Sequence, residues 1–382
     1  MLRVALTMLV NERGKYFGIV AALSFTAFMM VQQPAIFLGI LARSTAVVTD
    51  LPIVDLWVMD PKVENVDDAK PLADAQLYRV KGIAGVEWAV PFYRGTIKAR
   101  LDDGNFLVCQ LIAIDDVTLI GGPNEVSVGS LTDLRSSDAV LVDETSAHGR
   151  LAGGPGSGRE ISVGATLELN DKRASVVGFH RGTPSFQSQP VIYTTYTRAK
   201  AFLPSERKLL SYILVKVKDP AQATQVASDI TRFTGLAAYT SAQFRQISID
   251  YFLFRSGVFL NFAVSAIIAF VIGGGIAGQT FYNFTLDNIR YFGVLKAMGA
   301  QRALLVGMIL LQAATVGTIG FGLGAGAVAL FTQASTGSPI AMSINPWVLG
   351  GSFAVVMLVI LGAAAFSARP VVRLEPAAVF RG

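Results

Sequence analysis

The sequence has little cysteine, histidine and charge, and each shortage argues against a class of protein. Cys109 is the single cysteine among 382 residues, so no disulfide can form within the chain. His148 and His180 are the only histidines, and neither has neighbouring cysteines or paired carboxylates at metal-ligand spacing. Only 15% of the residues are charged, against about 25% in a typical soluble domain. This deficit, with 52% hydrophobic residues, indicates long segments in lipid.

Motifs of catalysis and of nucleotide binding are missing from the pattern. Asp115-Asp116 and Asp143-Glu144 are adjacent carboxylates, whose side chains diverge along a strand, so we expect turn capping rather than acid–base chemistry. The glycine-rich stretch Gly153–Gly158 lacks the closing Lys-Ser/Thr of a phosphate loop. We therefore expect a non-catalytic subunit that binds no cofactor directly.

Four apolar windows are long enough to cross a bilayer, which takes about 20 residues per helix. We predict spans at residues 16–41, 251–281, 304–330 and 347–366, with the apolar run of the second span starting at Val258. The first run is longer than the apolar core of a signal peptide and no small-x-small site closes it, so we expect an uncleaved span. The fold class is therefore a membrane protein with four transmembrane helices.

The distribution of basic residues predicts the orientation. Among the short segments that flank the spans, basic residues occur at residues 1–15, 282–303 and 367–382, whereas residues 331–346 carry no charge. The charges of the long segment 42–250 do not decide its side, because long loops translocate regardless of charge. Basic loops stay in the cytoplasm, so both termini and the 282–303 segment are predicted there, and residues 42–250 outside. This placement explains the net charge of +5 without a nucleic-acid partner.

The long extracytoplasmic segment, residues 42–250, predicts an α+β domain that is large enough for its own core. Asp102–Asn105 reads as a hairpin turn, and helices are predicted from Pro71 to Val80 and from Asp219 to Phe233. Two lobes joined at Gly153–Gly158 are one possible arrangement. The predicted strands are Ile53–Met59, Thr96–Leu101, Phe106–Ile114, Thr166–Leu169, Ser175–Phe179 and Tyr212–Lys218.

Two features inside the spans predict helix packing or movement. Gln32, Gln33 and Pro34 interrupt the first apolar run, and they indicate either a packing kink or a conformational hinge. Glycines at small-xxx-small spacing allow close helix approach, either within the chain or at a dimer seam. These glycines include Gly274 and Gly278 in the second span and the pairs Gly320/Gly324 and Gly322/Gly326 in the third.

The cytoplasmic segment 282–303 predicts a short amphipathic helix. Leu286, Ile289, Phe292 and Leu295 recur at near-helical spacing, and charged residues occupy the other faces. Such a helix either rests on the lipid surface or docks into a groove of a cytoplasmic partner.

The same segment resembles a known family. Residues 290–300, Arg-Tyr-Phe-Gly-Val-Leu-Lys-Ala-Met-Gly-Ala, are similar to the signature of FtsX-like permeases, and Arg373-Leu374-Glu375-Pro376-Ala377 is similar to their closing motif. The layout, with one span, a large outer domain and three further spans, also resembles MacB-type (type VII) permeases. Gln32-Gln33-Pro34 resembles the DevC branch.

The resemblance implies the permease subunit of an ABC exporter in the bacterial inner membrane. It implies a homodimer, a cytoplasmic ATPase that carries ATP and Mg²⁺, a periplasmic adaptor and an outer-membrane duct, with residues 241–251 as a stalk. A lipoprotein-releasing permease and an FtsX-like signal transducer that controls a cell-wall hydrolase remain alternatives. Candidate residues for ATPase coupling are Leu286, Ile289, Arg290, Phe292, Gly293, Leu295, Lys296 and Gly299. An aspartate at Gly293 or Leu295 is expected to uncouple the ATPase.

Overall fold

The computed structural model describes residues 13–101, 103–152, 160–184, 188–204, 209–334 and 342–373. The chain divides into two compact units. Met1–Gly39 and Val258–Gly382 form the helical unit, and Ile40–Gly257 form the core domain.

The regular elements of the described residues are numbered in chain order. The α-helices are α1 (Arg13–Thr49), α2 (Asp74–Lys81), α3 (Glu144–Ala147), α4 (Tyr196–Phe202), α5 (Ala223–Thr234), α6 (Ser241–Asp250), α7 (Val258–Asp287), α8 (Ile289–Ala297), α9 (Arg302–Ala334), α10 (Pro346–Ser367) and α11 (Arg369–Arg373). The strands are β1 (Leu56–Met59), β2 (Val86–Arg100), β3 (Phe106–Ile114), β4 (Glu125–Val128), β5 (Ala139–Asp143), β6 (Thr166–Leu169), β7 (Lys172–Arg181), β8 (Val191–Thr195), β9 (Tyr212–Val217) and β10 (Ala237–Thr240).

Within the described residues, four helices are long and apolar enough to cross a membrane, which confirms the predicted number of spans. They cover Tyr16–Thr49, Val258–Asp287, Arg302–Ala334 and Pro346–Arg373. The first and second helices continue beyond the predicted spans, to Thr49 and Asp287. In α1 the added residues include Ser44, whose hydroxyl donates to the Ile40 carbonyl at 2.8 Å. The hydroxyl of Ser44 is thus satisfied within the helix itself.

Glycines bring the helices of the helical unit into close contact. A Cβ on Gly324 of α9 would lie 2.4 Å from the Ser24 carbonyl of α1, and one on Gly320 would lie 2.8 Å from the Leu23 Cβ. On α7, Gly274 and Gly278 face the α10 side chains of Val359 and Ala363, at 3.2 and 3.9 Å. These four predicted packing residues therefore serve contacts within the chain.

Pro34 lies inside α1 and removes one helical hydrogen bond. The carbonyl left without its partner belongs to Met30, four residues earlier, and it accepts a bond of 3.1 Å from the Ser352 hydroxyl of α10. Gln32 and Gln33, beside the proline, are half-buried. At this point the interruption of α1 is compensated by a contact with another helix.

The core domain is built on one mixed sheet of ten strands, counted over the described residues. Its order is β10-β1-β9-β2-β3-β8-β5-β7-β4, and β6 pairs with β2 and β7. The pairs β3–β8 and β5–β7 are parallel, and the other pairs are antiparallel. The described strands thus form one continuous sheet. Gly153–Gly158, the predicted connection between two lobes, lies outside the described residues.

Each face of the sheet carries its own hydrophobic core, as the period of two along a strand requires. Along β3, Leu111 and Ala113 belong to one buried cluster, whereas Ile112 and Ile114 belong to the other. The second cluster contains Trp57, which packs against the ring of Phe244 at 5.7 Å between centroids. This contact ties α6 to the sheet.

Several predicted elements are confirmed and others were missed. β3, β6 and the β2–β3 hairpin are confirmed, and so is the helical segment after Asp219, whose carboxylate accepts from the Ala221 N–H at 3.0 Å. β2 begins ten residues before the predicted Thr96, because Pro91 and Gly95 hide a strand in the pattern. β4, β5, β8 and β10 have four or five residues each and were not predicted.

Candidate functional site

The most distinctive local structure of the helical unit is the short helix α8 between α7 and α9. Its start is formed by Asn288, whose amide donates to the Phe284 carbonyl at 2.9 Å while its own carbonyl accepts from the Phe292 N–H. Its end is a Schellman turn, in which the Ala300 N–H donates to the Leu295 carbonyl and the Gly299 N–H to the Lys296 carbonyl. Gly299 has a φ of +96°, which explains why a glycine follows this helix.

The predicted coupling residues of α8 divide between two faces. Phe292 and Gly293 are buried, and Phe292 belongs to the core of the helical unit itself. Leu295 is half-buried against the same core, and the Lys296 ammonium donates to the Val372 carbonyl at 3.1 Å. A partner cannot reach Phe292 or Gly293 without opening this core. An aspartate at Gly293 would therefore disturb the protein's own packing, and its expected effect on ATPase coupling stays a prediction.

The exposed face of α8 carries a second apolar stripe that the sequence reasoning missed. Tyr291, Val294 and Met298 are 60%, 43% and 71% exposed. Their spacing of three and four residues places them on one side of the helix. The same pattern was visible in the sequence, but the stronger stripe through Phe292 concealed it. Arg290 is also exposed, Ile289 is half-buried, and Leu286 lies on the last turn of α7 with 39% exposure.

Three of the four carboxylates in the acidic pairs singled out in the sequence act as caps, and the fourth, Glu144, pairs with Arg181. Asp115 accepts from the N–H groups of Val117 and Thr118, at 3.2 and 2.7 Å. Asp116 accepts from the Thr197 N–H at 3.2 Å, and Asp143 accepts from the Ser146 N–H at 2.9 Å. These carboxylates stabilise turns and helix starts, as predicted.

Cys109 and His180, the remaining side chains with reactive groups, are both buried in the core domain. Burial raises the pKa of the Cys109 thiol to about 12, so it stays protonated and unreactive. Burial also lowers the pKa of His180, whose Nε2 lies 3.1 Å from the Val191 carbonyl. No group of three His, Cys, Asp or Glu that could hold a metal occurs within the described ranges.

Four membrane helices, a domain inserted after the first of them and a short helix between the second and third define a multi-span membrane protein with an inserted α+β domain. Two family models match the sequence. The MacB-like periplasmic core domain matches residues 20–233, and the FtsX-like permease C-terminal domain matches residues 237–376. The chain therefore belongs to the family of permeases with a MacB-like periplasmic core domain. No curated protein matches the sequence.

Solved structures give more distant likenesses. The extracellular domain of the noncanonic ABC-type transporter YknZ from Gram-positive bacteria is 14% identical with a TM-score of 0.35, over 49% of this chain and 98% of that chain. The periplasmic region of MacB from Actinobacillus actinomycetemcomitans is 11% identical with a TM-score of 0.37, over 52% and 94%. A domain of a putative permease from Porphyromonas gingivalis is 19% identical with a TM-score of 0.32, over 50% and 90%.

Family membership gives the general role. The protein is an ABC transporter permease of the inner membrane with several spans and a periplasmic domain. The family implies partnership with an ABC ATPase, and its permease subunits are generally non-catalytic.

Proposed function

We propose that this permease transmits motion from a cytoplasmic ATPase to its periplasmic core domain as part of an exporter. ATP and Mg²⁺ bind to the ATPase. The observation that supports the proposal is the exposed stripe of Tyr291, Val294 and Met298 on α8, within the segment that matches the FtsX-like permease C-terminal domain. Three apolar side chains on one face of a helix are the usual anchors for a groove in a partner.

The helix α8 is suited to transmit force because it is fixed at both ends and from behind. Asn288 and the turn at Gly299 fix its length, and Phe292 anchors it in the helical unit. The Lys296 bond to the Val372 carbonyl joins it to α11, close to the end of the fourth span. A push on the outer stripe therefore moves the helical unit rather than bending α8 alone.

The proposed orientation follows from the basic residues. Arg290, Lys296 and Arg302 lie around α8, and positive charge is retained in the cytoplasm. We place α8 and both chain termini on the cytoplasmic side, which agrees with a periplasmic core domain and an even number of spans.

We further propose a homodimer that works with a periplasmic adaptor and an outer-membrane duct, as in the DevC branch. A surface on α7 supports the dimer, because only 6% of its apolar window is buried within the chain, against 44% for α9. Ile267, Ile268 and Val271 of α7 are more than half exposed. Lipid or a second copy covers this face, and we propose the second copy.

A pull-down from native membranes tests the coupling proposal. The tagged full-length protein is purified in mild detergent, and the co-purifying proteins are identified by mass spectrometry. We expect an ABC ATPase with the unaltered protein and its loss with Val294→Asp, because a charge in an apolar groove costs about 1–3 kcal/mol. Val117→Asp is the matched control, since Val117 of the core domain is 76% exposed.

The proteins that accompany the ATPase distinguish the alternatives. A periplasmic adaptor supports the exporter, whereas an activator of a cell-wall hydrolase supports the signal transducer and a lipoprotein carrier supports the lipoprotein-releasing permease. Retention of the ATPase by Val294→Asp contradicts the docking role of the stripe, and absence of any ATPase contradicts the proposed function.

A further inference from the structure

Two connectors join the core domain to the membrane helices along the chain. The first connector is residues 40–49, the last turns of α1, and the second connector is α6 with the π-helical turn Tyr251–Arg255. Both belong to the core domain by their contacts. The contacts that hold each connector in the core domain determine whether the two connectors can move independently.

The second connector is held by the loop between β1 and α2. The Val66 N–H donates to the Ser248 hydroxyl of α6 at 3.2 Å, and the Arg255 guanidinium pairs with Glu64 at 2.7 Å. The Val66 carbonyl in turn accepts from Arg94 and from the Tyr212 hydroxyl, both at 2.8 Å. The backbone of one residue, Val66, thus ties α6 to the sheet, through its N–H on one side and its carbonyl, bonded to the side chain of Arg94, on the other.

Arg94 is a buried cation that is satisfied only in part. Its side chain is 5% exposed, and its Nη1 pairs with Asp67 at 2.6 Å. Its Nε–H has no hydrogen-bond partner among the described atoms. A buried donor without a partner is costly, so a ligand is expected at that atom.

The first connector also contacts the surroundings of Arg94, because Arg43 and Asp50 line the same cavity as Arg94. The Arg43 guanidinium donates to the Ser188 hydroxyl at 2.6 Å, and Asp50, just after α1, is hydrogen-bonded to Thr183. A small, partly open cavity of about 40 Å³ lies here, lined by Arg43, Asp50, Arg94 and His180 among others.

His180 supplies the second unsatisfied atom of this cavity. Its ring is 1% exposed, and its Nε2 faces the Val191 carbonyl, which can only accept, so Nε2 carries the hydrogen. Its Nδ1 is then an acceptor, and no described atom donates to it. The position of a Cβ on Gly182, which also lines the cavity, is 3.5 Å from Nδ1.

We infer that this cavity holds ordered water, and that Arg94 and this water form a joint linking the two connectors inside the core domain. Water accepts from the Nε–H of Arg94 and donates to the Nδ1 of His180, whereas an anion satisfies only the first. The volume is sufficient, because one water needs about 10–15 Å³ of such space. Loosening of one connector then reaches the other. The joint serves the proposed transmission of motion, but its test does not require the ATPase.

Hydrogen–deuterium exchange of the full-length protein in lipid nanodiscs tests the link. Ser248→Ala removes the bond to Val66 on the second connector, and Asp50→Asn weakens the first connector. We expect Ser248→Ala to raise exchange at residues 43–51 as well as at residues 60–68, by roughly two- to tenfold, as the loss of one hydrogen bond predicts. Asp50→Asn is expected to raise exchange at residues 60–68, since coupling is reciprocal.

The controls separate a joint from general loosening. Thr231→Ala on α5 removes a hydroxyl bond of 3.0 Å to the Ala227 carbonyl and is expected to leave both segments unchanged. Exchange that rises only next to each substitution overturns the link.

A high-resolution structure of the full-length protein tests the water itself. We expect water density within hydrogen-bond distance of Arg94 Nε and His180 Nδ1. An empty cavity, or the stronger density of an ion such as chloride, overturns the hydrated joint.

Discussion

Single residues compensate for one another across helices, and the Pro34–Ser352 relation is the clearest case. A proline inside a helix leaves a carbonyl without its partner, and in lipid no water can replace the lost bond. Ser352 lies 322 positions from Met30 in sequence and donates to that carbonyl. The sequence predicted the interruption at Pro34, but it could not identify a compensating hydroxyl so far along the chain.

This relation predicts non-additive substitutions. Ser352→Ala is expected to lower the free energy of unfolding by about 1 kcal/mol, because it leaves the Met30 carbonyl unsatisfied. In a Pro34→Ala background the same change is expected to cost clearly less, since residue 34 regains its N–H. Unfolding of the four purified variants in detergent measures both effects, and an equal cost in the two backgrounds contradicts the assignment.

At the scale of the helices, the glycine pairs of α9 differ in what they contact. The sequence placed Gly320/Gly324 and Gly322/Gly326 on equal terms, since both pairs have the same spacing. The structure separates them, because the first pair contacts α1, whereas no described atom outside the backbone of α9 itself lies within 4 Å of a Cβ on Gly322 or Gly326. The spacing of glycines shows which face of a helix is lined by small residues. It does not show which other helix packs against that face, because that depends on spans far away in sequence.

The two glycine pairs provide a matched experiment on α9. Gly324→Ala is expected to destabilise the protein by about 1–3 kcal/mol, because the new methyl group overlaps the Ser24 carbonyl and the Ala27 Cβ. Gly326→Ala, half a turn away, is expected to be neutral or slightly stabilising, as alanine favours a helix over glycine. Thermal unfolding in detergent compares the variants, and equal losses exclude close packing at Gly324.

The helix α8 shows the same limit of sequence reasoning in another form. The periodicity of Leu286, Ile289, Phe292 and Leu295 predicted a helix with one strong apolar face. Phe292 of that face lies in the protein's own core, and the face open to a partner is the weaker one through Val294. A sequence indicates that a face is apolar, but not what covers it.

For the whole molecule, the number of spans and the α+β domain could be predicted because each depends on local composition. The order of the sheet could not, since the parallel partners β3 and β8 are far apart in sequence and Val191–Thr195 is a short strand. The polar joint at Arg94 and His180 was also invisible, because its members come from separate elements.

The orientation of the molecule can be measured by labelling in intact cells. Cys109 is buried with a pKa of about 12, so the natural protein is expected to react poorly with thiol reagents. Val117→Cys is expected to react with a membrane-impermeant maleimide from outside, and Met298→Cys only after permeabilisation. The reverse pattern contradicts the proposed topology.

The edge of the sheet also determines when the domain can fold. Leu56 of β1, just after the first span, pairs with Thr240 of β10, just before the second, and the nearby Trp57–Ser241 bond joins residues 184 positions apart. Pairing over such a distance carries a large loop-closure cost and slows folding. Secretion of the domain must therefore be complete before its sheet can close, and until then the edge of β1 that pairs with β10 stays unpaired.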